Sequence, residues 1–268
     1  MTSSEPVVLG RTGLRVGRLG IASGYKAPTA AIEEAFDRGC NYFTWGTVIK
    51  GYVPQMRDAI RNIVAKGQRD RLVLACFTYA HNNYFTEKML KRGLKSAGLD
   101  YADVLILGYF SRSVPRRLVD GALRLKEKGL VRFVGLSTHN RKLCGELAAG
   151  GPFDVVHFRY NAAHRGVEKD IFPCAAGEGR PGLVAFTATR WGQLLKAKKM
   201  PPDEKPLTAA ECYRFVLSNP AVDVCMSGPR TVEEMRENLA VLDSGPMTED
   251  EMARVRRIGD HVYGRKRG

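Results

Sequence analysis

Eight short apolar runs, each followed by an amphipathic stretch, limit the fold of this chain more than any other feature of it. The runs are Leu19–Ala22, Tyr42–Phe43, Leu72–Phe77, Val104–Leu107, Val131–Leu136, Val155–Phe158, Leu183–Phe186 and Val224–Met226. The helices expected after them cover 30–38, 55–66, 87–97, 116–128, 142–149, 167–175, 209–217 and 232–242. In the first helix, Ile32, Ala35 and Phe36 fall at i, i+3 and i+4, one face of a helix. Gly39, Gly67 and Gly129 follow the first, second and fourth helices as left-handed caps would. A last helix, Glu249–Ile258, opens on a capping box, Thr248 with Glu251 three residues on.

Eight such units within 268 residues predict a closed parallel α/β barrel, a (β/α)₈ TIM barrel forming one domain over 1–268. Ahead of it, Val7–Leu9 and Leu14–Val16 flank the turn Arg11-Thr12-Gly13 and read as an N-terminal β-hairpin. The rival is a doubly wound open sheet. That fold usually carries G-x-G-x-x-G after its first strand, where this chain has GIASGYKAP. In a barrel, chemistry sits on the loops after the strand C-termini.

Composition narrows the partners. No apolar run approaches the roughly 18 residues that span a bilayer, and the start MTSSEPVVLG is unlike a signal peptide. The expectation is a cytoplasmic protein without a membrane partner. The net charge of +14 is spread along the chain, with only short runs such as KAKK, and no nucleic-acid motif accompanies it. A solvated basic surface follows. The six cysteines form no C-x-x-C pair and sit mostly in apolar runs, so buried reduced thiols are expected. The five histidines show no zinc-ligand spacing. Nothing in the sequence sets an oligomeric state.

The segments VVLGRTGLRVGRLG, DRGCNYFTWG, RDRLVLAC, LKSAGLDYADVLIL, LKEKGLVRFVGLST, RYN, GLVAFTATRWGQLL and FVLSNPAVDVCMSGPRTVEEMRENLAVL, in this order and spacing, resemble the aldo/keto reductase family. The resemblance implies NADP (NADPH) bound across the strand C-termini and a small-molecule carbonyl or alcohol as substrate. It places Ser137 on the carboxamide and Phe186 against the nicotinamide, with Gly192 and Leu194 in the segment around the pyrophosphate. Ser227 to Thr231, including Arg230, falls at the adenosine 2′-phosphate, and Glu237 and Asn238 fall near adenine. A guanidinium beside free N–H groups at a helix start would make an anion site there. Two positions depart from the pattern. Thr138 replaces the usual asparagine, with Asn140 nearby, and His157 replaces the usual glutamine.

The resemblance also implies an Asp/Tyr/Lys/His tetrad, and none of the four is present. The phrase expected as F-D-T-A is Phe43-Thr44-Trp45-Gly46. The tyrosine position is Ile49, the lysine position Phe77 and the histidine position Gly108. Loss of the set is coherent, because a buried lysine without its aspartate would be an uncompensated charge. Tyr52, Lys50, His81 and Tyr109, with Tyr79, lie in the same loops and are the candidate replacements. Arg159, His164, Arg165, Arg190 and Trp191 follow strands six and seven at the same mouth, where arginines bind phosphate or carboxylate. Three functions remain open. One is an NADP-dependent oxidoreductase with a non-standard proton donor. The second is a non-catalytic nucleotide-binding or regulatory barrel, and the third a lyase or isomerase at the same mouth.

Overall fold

A computed structural model describes residues 4–46, 53–108, 110–175, 177 and 179–264. The chain enters through a hairpin, β1 (Val7–Val8) and β2 (Arg15–Val16), paired antiparallel. Eight parallel strands then close on themselves: β3 (Leu19–Ala22), β4 (Tyr42–Gly46), β5 (Val73–Thr78), β6 (Ala102–Gly108), β7 (Val131–Ser137), β8 (Val155–Arg159), β9 (Gly182–Phe186) and β10 (Val224–Ser227). β10 pairs with β3 and completes the ring.

The helices are α1 (Thr29–Asp37), α2 (Pro54–Ala65), α3 (Asn83–Ala97), α4 (Arg116–Glu127), α5 (Arg141–Ala149), α6 (Val167–Asp170), α7 (Ala209–Leu217), α8 (Val232–Leu239) and α9 (Glu249–Gly264). Most ends fall within a residue or two of the expectation from periodicity. Four differ more: α8 gives way to a 3₁₀ turn at Ala240–Asp243 three residues before its expected end, and the other three differ for local reasons. α3 starts a turn early because the Asn82 side chain accepts from the Phe85 N–H. α6 stops after one turn, and Pro173, which cannot donate to a helix, begins a separate 3₁₀ turn. α9 runs on to Gly264, carried by Val262 packed in the core. Its capping box forms as read, Thr248 N–H to Glu251 at 2.8 Å and the reciprocal bond at 3.3 Å.

Strand alternation sorts side chains into two cores. Phe43, Trp45, Leu74, Cys76, Leu105 and Phe158 point outward and pack under the helices. Tyr42, Val73, Ala75, Ile106, Val155, Val184 and Val224 fill the barrel. Leu9, Leu14 and Val16 of the hairpin join that inner cluster, so the hairpin plugs the barrel floor. The plug fits closely. Gly10 has φ +46°, and a Cβ there would lie 2.3 Å from the Gly182 nitrogen. Five cysteines are buried, as expected, but Cys174 is exposed, in the 3₁₀ turn after α6.

Candidate functional site at the barrel mouth

The inner core stops below the strand C-termini. Above it lies a cavity of about 610 Å³ lined from β4, β5 and β7–β10 and the loops that follow them. That volume suits a drug-sized ligand or part of a larger one.

Ser137, His157 and Phe186 meet on one wall. Register pairs Ser137 with His157 across β7 and β8, and Phe186 with Arg159 across β8 and β9. Ser137 is buried at the last position of β7. The His157 ring is buried and its Nε2 lies 2.8 Å from the Tyr42 hydroxyl. Burial pushes the His157 pKa down to about 3 and lifts the Tyr42 phenol well above its ordinary value. Both groups are therefore neutral near pH 7. The Tyr42 hydroxyl and His157 Nε2 share one hydrogen bond, which either group is able to donate. His139 meets Phe186 edge-on, with ring centroids 5.3 Å apart.

The opposite wall is apolar and aromatic. Thr44 is buried at the cavity wall, and Phe77 stacks on Tyr79 at 5.9 Å and meets His157 edge-on at 5.4 Å. Gly108 ends β6, and a Cβ there would lie 2.6 Å from Tyr79 Cδ1. The Tyr79 ring thus occupies the space where a side chain at 108 would begin.

A third region runs from β10 to α8. Ser227 is 1% exposed, lines the cavity, and its hydroxyl oxygen has no hydrogen-bond partner among the described residues. Arg230 and Glu237 line the cavity from exposed positions, and Asn238 lines it while buried. The helix start is not an open ring of donors, as the sequence suggested. The Arg230 N–H donates to Glu234 at 2.7 Å, and the Glu234 N–H to the capping Thr231 hydroxyl at 3.2 Å. Glu234 also lines the cavity and was missed in the sequence, where it reads as an ordinary acidic residue of a first helical turn.

The remaining expectations divide. Gly192, at φ +76°, lines the cavity, whereas Leu194 is fully buried in the core and Leu195 takes the cavity wall. Asn140 caps α5 through the Leu143 N–H and donates to the Ser111 carbonyl, so its amide serves the loop. Thr138 donates to the Phe110 carbonyl at 2.6 Å. His81 is exposed and stacks on Phe110 at 4.9 Å, outside the residues that line the cavity. Lys50, Tyr52 and Tyr109, with Ile49, lie outside the described residues. Tyr25, Trp191 and Tyr213 also line the cavity; only Trp191 stood out in the sequence, because Tyr25 follows a strand with no periodicity to place it and Tyr213 reads as a core residue of its helix.

The Aldo/keto reductase family pattern matches residues 17–211. The chain belongs to the aldo/keto reductase family. Over 196 residues it is 26% identical to a Schizosaccharomyces pombe protein named aldo-keto reductase yakc, whose name carries NADP(+); the match spans 68% of this chain and 57% of that protein. It is 24% identical to the uncharacterized oxidoreductase YrpG of Bacillus subtilis over 89% of this chain and 91% of that one. Among solved structures, the holo form of aldo-keto reductase AKR11C1 from Bacillus halodurans superimposes with a TM-score of 0.78 at 16% identity, covering 95% of this chain and 96% of that one. Its apo form gives 0.77 at 17% identity. At that identity the structural likeness speaks to the barrel alone. Among the described residues, no helix is long and apolar enough to cross a membrane.

Proposed function

We propose that this family member is a cytoplasmic, single-barrel NADP-dependent oxidoreductase acting on a small carbonyl or alcohol, with a proton donor other than the family's tyrosine. One observation carries the cofactor reading. A single cavity joins Ser137, His157 and Phe186 at one end to Ser227, Arg230, Glu237 and Asn238 at the other. A buried, unpartnered Ser227 hydroxyl at its wall costs free energy unless a ligand meets it. The residues present therefore fit an extended dinucleotide.

When bound, NADPH supplies the hydride. The chain's part is to hold and orient. Phe186 offers the stacking face, and Ser137 with the His157 ring offers hydrogen bonds to the carboxamide. Tyr42 holds the ring from below through its hydrogen bond to Nε2. Arg230 meets the 2′-phosphate, with Glu234 beside it as a charge that tempers the preference for NADP over NAD.

Thr44, Phe77 and Gly108 stand at tetrad positions by the family pattern, and none can give up a proton to a carbonyl at pH 7. Among the described residues, Tyr79 is the best-placed substitute. It lines the cavity, and its ring takes the room that Gly108 leaves. Tyr52 stays a competing donor. The lack of an acid at these three positions equally favours a non-catalytic nucleotide-binding barrel, and turnover separates the two.

Fluorescence titration with NADPH and NADH tests the first half. NADPH should bind more tightly, and Arg230→Ala should weaken NADPH by about 10- to 100-fold while changing NADH little, the range for one charge-assisted contact. Equal, weak binding of both nucleotides would sink the reading. For the second half, Tyr79→Phe should keep nucleotide affinity and lower carbonyl turnover at least about tenfold. Unchanged turnover would move the assignment to Tyr52. Tight NADPH binding with no turnover on any carbonyl would favour the non-catalytic barrel.

A further inference from the structure

Arg159 is the last residue of β8 and is partly buried. Phe158 packs in the outer core while His157 lines the cavity, so alternation puts Arg159 on the His157 face, one pleat nearer the mouth. Among the described residues its guanidinium makes no ion pair and no hydrogen bond. The carboxylates on the neighbouring elements are already held. Asp170 pairs with Arg141 at 3.2 Å, Glu168 with Arg256 at 3.3 Å and Asp260 with Arg165 at 2.7 Å.

What surrounds Arg159 is more positive charge. Arg141 begins α5, and its guanidinium lies over Gly166, where a Cβ would be 1.1 Å from Nη1. A side chain at 166 would displace that guanidinium. Arg190 stands in the β9 loop at φ +51°, a left-handed conformation that costs a non-glycine residue free energy, and donates to the Val262 carbonyl near the end of α9. His164 is held by Asn161, whose side-chain oxygen lies 3.1 Å from His164 Nδ1, and meets Tyr263 of α9 edge-on at 5.5 Å. Burial, then Arg141 and, more weakly, Arg190 hold the Arg159 guanidinium below its ordinary value, while Tyr263 acts the other way. Burial, then Arg159, Arg190 and Arg141, push His164 down to about 4. His139, on the cavity wall, is lowered by burial and by Arg159. Arg159 does not itself line the cavity; it adjoins the wall through Phe186, its register partner on β9, which His139 meets edge-on at 5.3 Å. Like charges gathered in a half-buried place repel, and an anion among them removes that cost.

We infer that Arg159, flanked by Arg141 and Arg190, forms a subsite for an anionic group, a carboxylate or a phosphate, on a small molecule whose other end enters the cavity past His139 and Phe186. The anion site stands apart from the nucleotide reading, whereas its assignment to a substrate rests on that reading. It narrows the substrate class to acids: a carbonyl or alcohol compound that carries a negative charge a few bonds from the reacting carbon.

The test uses the full chain in chloride-free buffer, with benzoate as the probe and benzamide as its uncharged counterpart. Binding is followed by calorimetry and by the imidazole NMR signals of His139 and His164. Benzoate should bind, raise the pKa of both histidines, and be displaced by inorganic phosphate; benzamide should do none of these. Arg159→Gln should weaken benzoate at least about tenfold. It should also raise the His164 pKa in the ligand-free protein. Arg159→Lys should keep the depressed His164 pKa but lose part of the affinity, since it retains charge without the planar fork. NADPH affinity should be the same in all three proteins. Benzamide binding as well as benzoate would overturn the inference, as would benzoate affinity unchanged in Arg159→Gln. Loss of benzoate in Arg230→Ala alone would place the anion at the α8 start and overturn it too. If Arg159→Gln weakened NADPH instead, the arginines would serve the nucleotide and the substrate subsite would fall. Failure of NADPH to bind the unmodified chain would remove the nucleotide reading and leave the benzoate result to stand.

Discussion

The two ends of this barrel treat charge in opposite ways. At the floor, three aspartates sit at the starts of alternate strands, and each is matched. Asp103 of β6 receives Arg69 at 3.0 Å, Arg132 at 3.1 Å and the Leu74 N–H at 2.9 Å. Asp154, before β8, receives Arg11 and Lys126, each at 3.3 Å, and the Val134 N–H at 3.1 Å. Asp223, before β10, receives Arg180 at 2.6 Å and the Leu183 N–H at 2.8 Å. At the mouth, Arg159 has no carboxylate and the Ser227 hydroxyl has no partner among the described residues. The floor spends its carboxylates on holding strands in register, although the buried Nε atoms of Arg18 and Arg69 there have no partner among the described residues. The mouth keeps polar groups unspent, at a cost in stability, as a barrel with its site at the strand C-termini would.

Breaking a matched pair at the floor should have the largest effect. Asp223 is 4% exposed at its side chain and Arg180 is 24% exposed. Arg180→Met removes the cation and strands a buried carboxylate, with Arg18 the remaining charge acting on it. The expected loss is about 2–4 kcal/mol, somewhat below the range for a fully buried pair. Urea denaturation measures it. Adding Asp223→Asn to that variant should recover part of the loss, since the stranded charge is gone. A loss under about 0.5 kcal/mol would mean that the floor is no better matched than the mouth.

The apolar wall of the mouth sharpens the comparison by a second route. Gly108→His installs the residue that the resemblance implies there, but its Cβ would meet the Tyr79 ring at 2.6 Å. Overpacking of that kind costs about 1–3 kcal/mol. Tyr79 is 37% exposed and can swing outward, so the low end is expected. Tyr79→Ala alone should cost little, and the double variant should be more stable than Gly108→His alone. Additive effects would show that Gly108 and Tyr79 are not a matched pair.

How much of this the sequence disclosed depends on the physics behind each feature. Strands and helices repeat, so all eight runs and the closing of the ring were legible from period and order. Capping rests on neighbours in sequence, and Thr248 with Glu251 was found, although the same box at Thr208 and Glu211 was passed over. The site divided along another line. Ser137, Phe186 and Ser227 end strands and His157 lies within β8, and strand parity puts all four on the cavity wall. Leu194 failed because a 3₁₀ turn at Gln193–Leu195 shifts the inward direction by one residue. His81 failed because loop position says nothing of direction, and its ring stacks on Phe110 instead. Glu234 and the unpaired state of Arg159 were invisible, since both depend on which partners distant segments supply.

The smallest predicted effect concerns Ser227, where two measurements should move in opposite senses. The hydroxyl is buried, lines the cavity and finds no partner among the described residues. Burying it without a hydrogen bond costs free energy that an alanine of nearly the same shape would not incur. Ser227→Ala should therefore leave the nucleotide-free protein as stable as before, or more stable by less than about 1 kcal/mol. If the hydroxyl is kept for the nucleotide, the same change should weaken NADPH by a few-fold to about tenfold, the worth of one neutral hydrogen bond. On the proposed reading, in which the Arg230 guanidinium is the group that meets the 2′-phosphate, NADPH and NADH should lose equally. That equality separates this variant from Arg230→Ala, which discriminates between the two nucleotides. A fall in stability would show that Ser227 already has a structural partner, and the contrast between floor and mouth would lose one of its two supports. Unchanged stability with unchanged binding would leave the hydroxyl a tolerated cost of the fold, and the cavity's polar end would then rest on Arg230, Glu237 and Asn238.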